Sequence, residues 1–182
     1  MLRLVLMLLL VAAPVAAQAT EAGWALLRGG GHVVLLRHAA ATGISEPAGF
    51  DIEKCSTQRN LSERGKQQAR KIGALFAARA APVERILSSR YCRCLDTARI
   101  AFESEPESLA ALDPPASDEM ARTAQMAEIV RQIGDFSGAD NMVMVTHLED
   151  IQALTGVSPR EGEAVIVAPD GERLRVLGRI VF

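Results

Sequence analysis

The chain is poor in the groups from which many sites are built: 182 residues carry three cysteines and three histidines. Structural zinc sites use paired Cys-x-x-Cys or His-x-x-x-His spacings, and neither occurs, so a zinc ribbon or finger is excluded. A cysteine phosphatase would place an arginine six positions after its thiolate, where this chain has Leu61, Ala98 and Ile100. An excess of one charge sign is also missing. Twenty Lys and Arg stand against 22 Asp and Glu, a net charge of -2. That balance gives no field to gather nucleic acid or anionic lipid, so an anion site must be a local cluster of Arg and Lys. Nor is there a long apolar run. The run from Leu4 to Ala13 is far shorter than the roughly 20 residues of a spanning helix, and small residues follow it where a stop-transfer charge cluster would sit.

What is present begins with that short run. "MLRLVLMLLLVAAPVAAQAT" has one basic residue, Arg3, then the apolar stretch, Pro14 and small residues that suit cleavage after Ala17 or Ala19. Residues 1–19 are therefore read as a secretory signal peptide and 20–182 as a single domain. The mature protein would be periplasmic or secreted, with no stable membrane anchor once the signal is cut. The Ala/Arg-rich composition fits a bacterial source. In an oxidising compartment Cys55 can pair with Cys92 or with Cys94, worth roughly 2 to 4 kcal/mol, and one thiol is left over.

Strands and helices alternate along the rest. Val33 to Leu36 is an unbroken apolar run of the kind covered on both faces of a parallel sheet. Ser62 is a good helix N-cap, and Ala69, Ile72, Leu75 and Phe76 follow at helical spacing. "VERILSS" reads as a second strand, "YCRCLDTARIAF" as a helix, and residues 120–133 as another, with Met120, Ala124, Ala127, Val130 and Ile133 on one side. "NMVMVTH" is a third strand, "LEDIQALTG" a short helix closed by Gly156, and the last stretch a hairpin around Pro-Asp-Gly at the sheet edge. The pattern predicts an α/β three-layer sandwich with a largely parallel sheet.

In such sheets ligands bind outside the carboxyl ends of the strands. The first strand ends on Arg37 and His38, the second runs into Arg90 and Arg93, and the third ends on His147. Three strand ends thus deliver cationic groups to one edge, and two are followed by helix N-termini that favour an anion. His32 precedes the first strand and is read as structural.

Those residues carry a family resemblance. "LLRHAAATG" resembles the Arg-His motif of the histidine phosphatase superfamily, the phosphoglycerate mutase-like fold, with Ala39 in place of the family's usual glycine. "LSERGKQQA", "ILSSRYCRCLDTA" with Arg93 four residues before Thr97, and "VMVTHLEDI" are similar to its later blocks, in order. The resemblance implies a phosphomonoester hydrolase that works without cofactor or metal. His38 would take the phosphoryl group, Arg37, Arg93 and His147 would clamp its oxygens, and Arg90 is a further phosphate candidate. A carboxylate would protonate the leaving oxygen; Glu119 is the candidate, with Asp118 and Asp150 as rivals. Asp150 stands where asparagine is expected in near relatives. The implied partner is a small phosphorylated substrate and not nucleic acid, with the oligomeric state left open. Similar periplasmic members act on envelope sugars such as phosphorylated lipopolysaccharide heptose. A noncatalytic phosphate-binding module that keeps the fold is the competing reading, resting on Ala39 and Asp150.

Overall fold

In a computed structural model, which describes residues 15–171 and 173–182, one six-stranded sheet organises the chain in the order β3-β2-β4-β1-β5-β6. The strands are β1 (Val33–Arg37), β2 (Val83–Ser88), β3 (Glu107–Ser108), β4 (Asn141–Thr146), β5 (Ala164–Asp170) and β6 (Arg173–Ile180). The helices are α1 (Val15–Arg28), α2 (Glu63–Ala78), α3 (Cys92–Phe102), α4 (Glu119–Gly134) and α5 (Leu148–Thr155). Strands β3, β2, β4 and β1 run parallel, and β5 and β6 add an antiparallel edge, as the hairpin reading anticipates. Gly171, at positive φ, closes that hairpin.

The unbroken apolar character of β1 has a direct cause. It lies between β4 and β5 with helices on both faces, so no residue of its first four meets water. Val34 and Leu36 face Trp24, Ile72, Phe76, Val143 and Ile166, the core under α1, α2 and α3. Val33 and Leu35 face Ile129, Ile133, Met144 and Ile151, the core under α4 and α5. Truncating a fully buried member such as Leu36 to alanine would cost about 2 to 5 kcal/mol.

Three elements depart from the sequence reading, one of them the two-residue edge strand β3, which it does not contain. Helix α1 is not anticipated; it begins at Val15, so the expected cleavage points fall in its first turns, and residues 1–14 of the expected signal peptide lie outside the described residues. Trp24 and Leu27, beyond those points, are core residues, with Trp24 set edge-on to Phe76 and Phe182. In α4 the buried side is rotated from the expected one. Ile129 and Ile133 are buried and Met126 and Val130 pack beside them, whereas Met120 is 81% exposed. No helix among the described residues is long and apolar enough to cross a membrane.

Register then places the carboxyl ends of three strands level. Arg37 pairs with Thr146 and Ser88 with Val145, while the His38 and Ser89 amides donate to the Thr146 and Val145 carbonyls. Behind His38, helix α2 starts on the Ser62 cap, whose hydroxyl accepts from the Gly65 amide. Gly65 packs so close to the turn after His38 that a β-carbon there would overlap the Ala40 carbonyl.

Candidate active site

Arg37, His38, Arg93 and His147 converge on one cavity of about 260 Å³, which Ile44, Ser45, Glu46, Arg59, Tyr91, Pro114, Leu148 and Glu149 complete. His38 and His147 are both buried, with ring centroids 5.5 Å apart. His38 Nδ1 lies 2.8 Å from the Ala39 carbonyl, which can only accept, so Nδ1 holds the proton and Nε2 keeps its lone pair. Burial, helped by Arg93 and Arg37 against the opposing carbonyl bond, lowers its pKa to about 3. A free imidazole nitrogen is thus available as a nucleophile across the physiological range. His147 is held neutral in the same way, by burial and then by Arg93 and His38.

Arg93 follows a helix start tied by the disulfide Cys55–Cys92, which resolves the choice left open by the sequence; Cys94 is free and buried. Its Nη2 donates to His147 Nδ1 at 3.1 Å and its Nη1 to Glu46 Oε1 at 2.6 Å, while its guanidinium lies over the Tyr91 ring. Thr97, one turn on, donates to the Arg93 carbonyl and accepts from the Ala39 amide, so it locks α3 to the turn that carries His38. Arg37 Nη1 donates to the Pro159 carbonyl. Arg59 donates to the Thr42 carbonyl and to Glu161. The Nε atoms of Arg37 and Arg93 are buried without any partner. Orphaned guanidinium donors cost about 1 to 3 kcal/mol each, more when charged, and a tetrahedral oxyanion would satisfy them.

Four expected participants are elsewhere. Glu119 is 78% exposed and paired with Arg122 in a separate groove, because the loop before α4 opens away from the sheet edge. Asp118 caps α4 by accepting from the Ala121 amide. Asp150 is fully buried behind β4 and does not line the cavity. Arg90 binds Asp113 through Nε at 2.8 Å and Nη2 at 2.6 Å, and opens onto the neighbouring cavity. Ala39 sets its methyl among Leu61 and Ala69, outside the cavity. Glu46, Arg59 and Glu149 were missed, since they lie in loops or a first helical turn where no periodicity singles them out. Tyr91, inside the quoted arginine block, was legible as a neighbour but not as a wall of the site. Among the described residues no group of three or more His, Cys, Asp or Glu side chains is placed to hold a metal ion.

An arginine- and histidine-lined pocket at the end of a parallel sheet suits an anion such as a phosphoryl group, and comparison with known proteins points the same way. Residues 33–114 match the model of the histidine phosphatase superfamily (branch 1), and the fold is the phosphoglycerate mutase-like one. His147 lies beyond the matched segment and is joined to it by the sheet. The fold is similar to that of the protein histidine phosphatase SixA, solved with tungstate, at 18% identity and TM-score 0.58, covering 82% of this chain and 96% of that one. It is also similar to the alpha-ribazole phosphatase from Shigella flexneri, at 13% identity and TM-score 0.61, covering 81% and 95%. Mycobacterial glucosyl-3-phosphoglycerate phosphatase aligns at 16% identity and TM-score 0.55, covering 81% and 97%. No curated protein matches the chain in sequence.

Proposed function

We propose that the protein is a phosphatase that hydrolyses a phosphomonoester through phosphohistidine at His38, without metal, in the periplasm or outside the cell. The observation that supports it most is that Arg37 and Arg93, each with a buried and partnerless Nε donor, line one cavity with His38, whose Nε2 keeps its lone pair. His38 Nε2 attacks phosphorus, the ester P–O bond breaks, and the alcohol leaves with a proton. Water then attacks phosphorus, the P–N bond breaks, and phosphate departs with His38 restored. Arg37 and Arg93 carry the charge of the transferring group, which is most of what such a reaction requires.

Two carboxylates line the cavity and Glu149 suits the proton donor better. Glu46 is held by Arg93 Nη1 and accepts from the Arg59 amide, so its oxygens are engaged. Glu149 lies at the mouth, in the first turn of α5. An envelope sugar phosphate is the substrate class we favour, in keeping with an exported chain and an open pocket.

The test is phosphate release from p-nitrophenyl phosphate in EDTA by the protein lacking residues 1–19. His38→Ala should abolish turnover, and an alkaline quench should trap an acid-labile phosphoryl adduct on the parent protein only. Glu149→Gln should cost about 10²- to 10⁴-fold on a sugar phosphate, whose leaving group needs a proton, and far less on p-nitrophenyl phosphate. Turnover that survives His38→Ala would overturn the assignment. Phosphate binding without any turnover would return the reading to an anion-binding module.

A further inference from the structure

The proton on His147 is dictated by a chain of contacts that ends outside the cavity. Asp113 is buried and accepts four hydrogen bonds: Oδ1 from the Ser89 hydroxyl at 2.9 Å and the Arg90 amide at 2.8 Å, Oδ2 from Arg90 Nε at 2.8 Å and Nη2 at 2.6 Å. Ser89 has one hydroxyl proton, and the Asp113 carboxylate takes it. Toward its other neighbours Ser89 Oγ can only accept: from the Tyr91 amide at 3.2 Å and from His147 Nε2 at 2.9 Å. Nε2 therefore carries the His147 proton. Cys94 fits the same assignment, with its thiol directed at the Thr146 carbonyl and its sulfur 3.5 Å from Nε2. Nδ1 is left with a lone pair, into which Arg93 Nη2 donates at 3.1 Å.

Once a phosphoryl group takes Arg93 Nη2 for its own oxygens, Nδ1 presents a bare lone pair to a dianion whose oxygens also only accept. Building on the phosphatase reading, we propose that Ser89 and Asp113 are positioning residues that fix the His147 tautomer, so that the site takes up the phosphoryl group together with one proton. The proton arrives either on the ligand, whose P–OH donates to Nδ1, or from solvent, giving His147 a second N–H that donates to the dianion. Only N–H or O–H bonds change, and the two descriptions carry the same charge. In the second, the positive ring is balanced by Asp113 through Ser89.

The groups facing His147 explain why the proton comes with the ligand and not before it. Arg37 and His38 from β1 and its end, Arg59 from the loop, and Arg93 from α3 all oppose a positive ring in the empty site. Tyr91 packs edge-on to it, Cys94 lies beneath, and Glu149 and Asp150 stand in the following turn. A bound phosphoryl group adds the negative charge that turns this balance.

The test reads the tautomer and its kinetic consequence in the same protein. Nitrogen-15 shifts of the His147 ring in the ligand-free protein should show the proton on Nε2, with Nδ1 bare, at neutral pH. For p-nitrophenyl phosphate, kcat/KM should fall tenfold per pH unit above the second phosphoryl ionisation, hence about 100-fold over the two units beyond it. In Ser89→Ala nothing holds the proton on Nε2 once the ligand has drawn Arg93 Nη2 away from Nδ1, so the ring can place its proton there, and the alkaline fall should shrink to less than about tenfold, through KM rather than kcat. Ser89→Thr, which keeps the hydroxyl, should restore the parent profile. A proton found on Nδ1 in the parent protein, or an alkaline limb unmoved by Ser89→Ala in an active enzyme, would overturn the proposal; the first readout needs no variant to fold. Failure of the phosphatase reading looks different, since the parent protein would then release no phosphate at any pH.

Discussion

Replacing Asp150 with asparagine should stabilise the protein at neutral pH by an amount that grows with pH. Asp150 is fully buried, and burial pushes its carboxyl up to about 8 from 3.8, even though Thr146 bonds to it. The contacts agree with a neutral acid. Thr146 Oγ1 lies 2.9 Å from the Leu112 carbonyl and 2.6 Å from Asp150 Oδ2, and its one hydroxyl proton cannot serve both. A protonated Oδ2 donating to Thr146, which donates to Leu112, satisfies the pair. Unfolding at pH 7 releases that proton, because the unfolded carboxyl ionises near 4. The folded state holds a proton that the unfolded state lacks throughout the window from about 4 to about 8. Stability therefore falls as pH rises across that window, by at most about 1.4 kcal/mol per unit and on the order of 4 kcal/mol by pH 7. The asparagine amide donates to Thr146 Oγ1 at every pH and removes this loss. Urea unfolding of both proteins at pH 4.5, 6, 7 and 8.5 is the assay. Subtraction cancels His38 and His147, which titrate in the opposite sense. The asparagine variant should be within about 1 kcal/mol of the parent at pH 4.5 and up to about 4 kcal/mol more stable at pH 7. A difference that does not change with pH, or an asparagine variant less stable at pH 8.5, would refute the neutral-acid assignment.

Two further outcomes follow from the site. Reducing the Cys55–Cys92 disulfide, or replacing both residues with serine, removes a cross-link spanning 37 positions, so stability should drop by about 3 to 4 kcal/mol; equal thermal midpoints with and without reductant would count against it. Arg93→Lys keeps the charge but loses the fork that reaches both the cavity and His147, and should lower kcat/KM by about 10²- to 10³-fold in a steady-state assay; near-parent activity would show that charge alone suffices.

The legible parts of the molecule were those where one physical rule acted alone. Strands β1 and β4 are buried on both faces, so their runs are uninterrupted, and their terminal polar residues stand out against them. Arg37, His38 and His147 could be read for that reason, and Arg93 from its place four residues before Thr97. Helix α1 could not, because its Ala-rich start merges with the leader pattern and only Trp24 and Leu27 announce a buried side. In α4, alanines at several spacings let the apolar stripe be drawn too far round the helix: Val130 and Ile133 do pack inward, but Met120, Ala124 and Ala127 are exposed. Glu119 failed for another reason. A proton donor is set by where a loop carries its carboxylate in space, and the residues between α3 and α4 hold no periodic signal that fixes this. Glu46 and Arg59 sit in an equally irregular loop, and their pairing with Arg93 and Glu161 appears only in three dimensions.

The level register of Arg37 with Thr146 and of Ser88 with Val145 has a consequence for how such a protein can change. Neighbouring strands stand about 4.8 Å apart, so the spacing between the Ser89, His147 and His38 backbones is a multiple of a lattice constant that no side chain determines. The reaction gauge is machined into the ladder itself. Loop 43–60, by contrast, is anchored at Cys55, by Glu46 on Arg93, by Gln58 on the Cys92 amide and by Arg59 on Glu161, and its remaining positions can vary in length and composition. New substrates can be tried by rewriting that loop while the gauge for the phosphoryl group stays the same width.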